Sequence, residues 1–193
     1  MIGLYYTGAR QYLKEQIVPK KSLGGSISSS RIPNKKLNNL FSSITESLIS
    51  RGSEEMRCIA IKNEGTLSIS EITLAIELTE DVVSTFNGFL IMPAQDNCLA
   101  YYFEELSSGD SIPSVGDLVP LNNLESINVT GLDWKPGEYL GFWLQRVVGG
   151  VDSIPTLGCP ECTALQALFE AGTVAKKEEL YKINFSFTEI PVP

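Results

Sequence analysis

Histidine is missing from this 193-residue chain. Its absence removes the Ser-His-Asp triad, the Cys-His pair and every imidazole metal site, because each relies on a ring whose proton moves near neutral pH. Long apolar runs are missing too: none approaches the ~20 residues of a membrane-spanning helix. The opening Met1-Ile2-Gly3-Leu4-Tyr5-Tyr6 lacks the basic and apolar blocks of a secretion signal, so synthesis in a cytoplasm with reduced thiols is expected. Neither GxxxxGK[ST] nor GxGxxG occurs, and no nucleotide site is expected. These absences argue against an enzyme and against a bound cofactor, although lysine and carboxylate chemistry stay open.

Cysteine is scarce, at four residues. Cys159-Pro160-Glu161-Cys162 has metal-like spacing, but a structural zinc ion wants four thiolate or imidazole ligands. Only Cys58 and Cys98 remain, each in an expected strand. The loop pair is therefore read as ordinary thiols, with a disulfide or redox pair as the alternative, and the strand pair as small hydrophobes. No metal is expected.

What is present is an ordinary globular balance, 43% apolar and 20% charged, with enough chain to bury a core without staples. The net charge of −8 is uneven. Residues 1–36 hold Arg10, Lys14, Lys20, Lys21, Arg31, Lys35 and Lys36 against Glu15 alone, a net of +6, so the remainder carries −14. A basic segment on an acidic body suggests docking of one on the other, within or between subunits. Nucleic acid is the weaker reading, because the basic residues are scattered among Gly and Ser.

The stretch Leu23-Gly24-Gly25-Ser26-Ile27-Ser28-Ser29-Ser30-Arg31-Ile32-Pro33-Asn34 has neither strand nor helix period. Residues 1–50 are expected to form an extended arm, or a flexible leader, with a helical turn at Leu37, Leu40 and Phe41 as apolar anchor. Residues 51–193 are expected to form the body. There Ile72, Leu74, Ile76 and Leu78 alternate with polar or small neighbours, as do Tyr181, Ile183, Phe185 and Phe187, while Leu140, Phe142 and Leu144 alternate with Gly141, Trp143 and Gln145. Further strands are expected over 56–62, 86–92, 98–103 and 126–129, with turns at 63–65 and 135–137. Residues 163–171 suit one short late helix stopped by Gly172. The fold class is mainly β, an antiparallel sandwich of immunoglobulin-like or jelly-roll-like type.

Carboxylates Glu104, Glu105, Asp110 and Asp117 fall in or near a Gly/Ser/Pro loop and are read as solvated. Tyr101, Tyr102, Phe103, Trp134 and Trp143 could form a sugar-stacking platform, although strand alternation puts several of them in a core or interface.

Met56-Arg57-Cys58-Ile59-Ala60-Ile61-Lys62-Asn63, the strand at Ser70–Ile76 and the stretch from Gly131 through Trp134-Lys135-Pro136-Gly137-Glu138 to Arg146 resemble segments that recur in β-sandwich virion proteins of tailed bacteriophages. The leader pieces Tyr6-Thr7-Gly8-Ala9, Ser22–Gly25 and Asn38–Phe41 are similar to theirs. The resemblance spans about two thirds of the chain; Met56 stands where the pattern has an aromatic residue, and Gln145 where it has a basic one. It implies a structural subunit of the tail, baseplate, neck or portal-adaptor region. Such a subunit assembles as a symmetric ring with other virion proteins, has no membrane or catalytic role, and resides in the virion after synthesis in a host cytoplasm. A capsid decoration protein and a carbohydrate-binding module for host surfaces are the alternatives. Arg10, Lys20, Lys21, Arg31, Lys35, Lys36, Leu37, Leu40 and Phe41 are the expected interface residues.

Overall fold

The computed structural model describes residues 1–8, 17–33, 40–41, 44–78, 84–95, 101–114, 116–122, 124–149 and 181–190. The expected helix at 163–171, Cys98, Cys159 and Cys162, and interface residues Arg10, Lys35, Lys36 and Leu37 lie outside the described residues.

The central strand β3 (Ser53–Asn63) pairs along its length with the strongly apolar β10 (Tyr139–Val148), from Lys62↔Tyr139 to Ser53↔Val148. Around this pair an antiparallel sheet of eight strands forms. On one side of β3 lie β1 (Ile2–Gly8), β2 (Gly25–Arg31), β7 (Tyr101–Phe103) and β6 (Ala94–Gln95), in that order outward. On the other side of β10 lie β5 (Ser84–Ile91) and then β8 (Val119–Leu121). A second sheet of three strands places β4 (Ser68–Leu78) between β11 (Tyr181–Ile190) and β9 (Ser126–Trp134). The protein is thus a two-sheet, sandwich-like antiparallel β fold, as the alternation predicts. Its helix among the described residues is α1 (Glu46–Arg51). Sequence reading missed it because it is a single short turn. Its signals were Thr45, whose hydroxyl accepts from the Leu48 amide at 3.3 Å, and the stop at Gly52 with φ of 75°, the usual chemistry of helix ends.

The main core lies between the sheets. Leu4, Tyr6, Ile59, Ile61, Leu140, Phe142 and Leu144 of the large sheet meet Ile69, Ile72, Leu74, Ile76, Ile127, Trp134 and Ile183 of the small one. Leu140, Phe142 and Leu144 therefore face the core as expected. The other face of β10 is covered as well. Trp143 is buried, and with Met56, Cys58, Ala60, Phe89, Phe103 and Leu106 it forms a second core on the far side of the large sheet. Curling makes this possible. Strands sit about 4.8 Å apart, so four steps from β7 to β10 would span about 19 Å if the sheet were flat. Instead the Phe103 ring occupies the space that a Cβ on Gly141 would need.

Residues 1–50 do not form the expected arm in their described parts. The strand β1 sits inside the sheet, paired with β3 from Ile2↔Asn63 to Tyr6↔Ile59 and with β2 on its other side. The Gly/Ser content serves close backbone approach rather than freedom. Gly24 has φ of 85°, and the carbonyl oxygen of Glu104 fills its Cβ position, a place open only to glycine. Where β1 leaves β3, the Ser22 carbonyl accepts from the Cys58 amide at 2.7 Å, and the Gly109 carbonyl then accepts from the Met56 amide at 2.6 Å. The buried hydroxyls of Thr7 and Ser22 both donate to the Cys58 carbonyl, at 2.9 and 2.7 Å. These bonds give partners to backbone groups that burial would otherwise leave stranded.

Removing residues 1–36 deletes β1 and β2 and strips one side of β3. The truncated chain is expected to be insoluble or to lack a cooperative urea transition. A soluble fragment that melts like the full chain would contradict the placement of β1.

Candidate functional site

Two polar constellations stand out, one at each end of the central strand pair. At the β3 start, alternation turns Glu55, Arg57 and Ile59 toward the small sheet, and Arg146 of β10 lies opposite Glu55. Arg57 and Arg146 are each only 4% exposed. Both guanidiniums donate to the one Glu55 carboxylate, Arg57 to Oε1 at 3.1 Å and Arg146 to Oε2. Arg57 also donates to the carbonyls of Leu40 at 2.9 Å and Met56 at 2.7 Å. Both cations lie over the Phe41 ring, Arg57 at 5.4 Å and Arg146 at 5.0 Å from its centre, with Phe86 at 6.1 Å. One carboxylate and one ring thus serve two nearly buried cations, and Arg146 Nε is left without a hydrogen-bond partner among the described residues. The arrangement is a structural clamp on the segment between β2 and α1.

That clamp corrects the expectation for Leu40 and Phe41. They are anchors, but their anchorage is the chain's own core, where they are 1% and 6% exposed, so they cannot hold a neighbouring subunit. Arg31 is exposed, yet it is bound within the chain to Glu64 at 2.8 Å. Lys20 and Lys21 form an exposed 3-10 turn after Pro19. The structure brings Leu40 to Phe41 and sets Arg31 in a different group from them.

At the other end of β3, on the face of the second core, the small and apolar side chains give way to polar aromatics. Tyr5 of β1, Tyr139 of β10 and Tyr101 of β7 converge, all partly buried. The Tyr139 ring centre lies 6.0 Å from that of Tyr5 and 5.5 Å from that of Tyr101. The Lys62 ammonium sits 5.3 Å over Tyr139, its cross-strand partner. The Tyr5 hydroxyl donates to Glu64 Oε1 at 2.6 Å, while Arg31 holds Oε2. The Glu64 hydrogen bond, followed by burial, raises the Tyr5 phenol from 10.0 to about 12. Of the aromatics expected as a platform, Phe103, Trp134 and Trp143 are buried in the cores. Tyr101 reaches this surface, and Tyr5 and Tyr139 join it from strands whose role the alternation alone could not connect.

Burial pushes the Cys58 thiol well above its usual value, which leaves it protonated and inert. Glu104 accepts from the amide and the hydroxyl of Ser114, both at 2.8 Å, and so staples its own loop. Among the described residues no group of three His, Cys, Asp or Glu side chains could hold a metal, and no helix is long and apolar enough to cross a membrane. No protein-family profile, curated protein or solved structure matches the chain.

Glu55→Gln leaves two nearly buried guanidiniums without their anion and should cost about 3 kcal/mol, read from the urea midpoint. A loss under about 1 kcal/mol would show that the clamp does not need the charge. For Tyr5 the sign follows from the raised value. The folded phenol holds its proton more tightly than the unfolded one, so this contribution is complete below pH 10 and lost as pH rises toward about 12. Stability measured from pH 8 to 12 should therefore fall less steeply in Tyr5→Phe than in the parent protein. Parallel curves would contradict the Tyr5–Glu64 bond.

Proposed function

We propose that this protein is a non-catalytic structural subunit of a tailed-phage virion, acting by assembly with copies of itself and with neighbouring virion proteins in the tail, baseplate, neck or portal-adaptor region. The observation that carries the reading is where the family-like segments fall. Residues 56–63 are the core of β3, residues 70–76 lie in β4, and residues 131–146 run from the end of β9 into β10. These segments form one connected unit, bound together at Asn63. The Asn63 side chain donates to the carbonyls of Leu67 at 2.9 Å and Trp134 at 3.0 Å, and its backbone bonds to Gly137 and Glu138. The resembling residues include those that link the two sheets, which supports reading them as parts of one scaffold.

Surface composition supports assembly as well. Ile17 and Val18, 64% and 37% exposed, precede the lysine pair at 20–21, so apolar and basic groups stand together on a protein of net charge −8. A ring places one patch against a different patch of the next copy, and surface charges of opposite sign speed such docking.

Quantitative mass spectrometry of purified particles from the phage that encodes the chain tests the reading. Peptides of this protein should appear in a fixed ratio to the major capsid protein, consistent with a ring copy number. Particles that are intact and infectious without them would refute it.

A further inference from the structure

The tyrosine cluster is not absorbed by an assembly role, and it has the parts of a ligand site. Three rings from β1, β7 and β10 are held partly in water at strand positions, so their geometry is set by the sheet and not by loops. Tyrosine loses little side-chain entropy on binding and offers an apolar face with a polar tip. Lys62 contributes three donors; its ammonium meets the Tyr139 ring and no carboxylate among the described residues. Arg31, 46% exposed at its side chain, stands on the far side of Glu64. Locally two cations face one carboxylate, whereas the whole chain is at −8.

We propose that Tyr101, Tyr139, Tyr5 and Lys62 form a binding surface for an acidic saccharide, with the C–H face of a sugar ring on Tyr101, Tyr139 tilted 54° to it as a side wall, and a sugar carboxylate on Lys62, which sits over Tyr139. A stacking ring beside a few fixed donors matches a pyranose, which has one apolar face and a polar rim. The unmatched cation selects sugars that carry a carboxylate. A nucleic acid would need a far broader basic surface. A proline-rich peptide would use the rings but gain nothing from Lys62. The inference is independent of whether the protein is part of a virion.

Calorimetric titration of the full chain with three probes tests it: a galacturonate hexasaccharide, the neutral maltohexaose and a proline-rich decapeptide. The galacturonate should bind, and maltohexaose about tenfold more weakly. Lys62→Gln should weaken galacturonate by about tenfold and so remove most of its advantage over maltohexaose. Tyr101→Ala should abolish both, and Tyr101→Phe should retain them, because stacking needs the ring and not the hydroxyl. Lys62 is only partly buried and Gln keeps most of its length, so its variant keeps the test decisive if Tyr101→Ala fails to fold. The proposal is overturned by no galacturonate binding at millimolar concentration, by equal affinity for the neutral sugar, by indifference to Lys62→Gln, or by preference for the peptide.

Discussion

The ladder between β3 and β10 is the constraint on which the rest of the fold depends. Both strands are apolar on both faces: Ile59, Ile61, Leu140, Phe142 and Leu144 on one, Met56, Cys58, Ala60 and Trp143 on the other. A strand pair of this kind cannot leave either face in water without forfeiting about 25 cal/mol for each Å² of apolar surface left exposed. One face is covered by the three-stranded sheet. Among the described residues no third sheet covers the other. The large sheet curls instead, bringing Phe103 over Gly141, while Leu23, Leu106 and Leu118 close the gap.

Curling brings backbone close to backbone, and the chain answers with small residues and hydroxyls. Gly24 admits the Glu104 carbonyl. Thr7 and Ser22 supply hydrogen bonds where the strands diverge. The two ends of the ladder are then fixed by polar groups: Asn63 joins the turns at one end, and Glu55 with its two arginines ties in Leu40 and Phe41 at the other. Such groups are costly to bury alone and specific when satisfied together. They fix which segment lies on which strand end more sharply than the apolar contacts do.

The same curl has a functional consequence. Tyr101 and Tyr139 are four strands apart in the sheet order, yet their rings are neighbours at 5.5 Å. A flat sheet with the same sequence would carry two isolated surface tyrosines. The fold that hides the second core therefore also gathers the aromatic surface at its edge, so stability and the candidate binding surface have one geometric cause.

The sequence by itself determined the fold class, most of the strands and their turns. Period-2 alternation in β4, β10 and β11 and the turn chemistry at 63–65 and 135–137 depend on local physics that any window of residues displays. It also determined that histidine-based chemistry is impossible. The tertiary structure alone decided what the first fifty residues do. Ile2, Leu4 and Tyr6 alternate, but seven residues are too few to tell a strand from an arm until β3 offers an edge. The serines of β2 carry no apolar signature, because that strand contributes backbone and small side chains. Only the tertiary structure turned Leu40 and Phe41 from interface anchors into core, and joined Tyr5, Tyr101 and Tyr139. Each of those outcomes depends on residues distant in sequence meeting across a curled sheet, and curvature is a sum over many strand pairs that no single segment encodes.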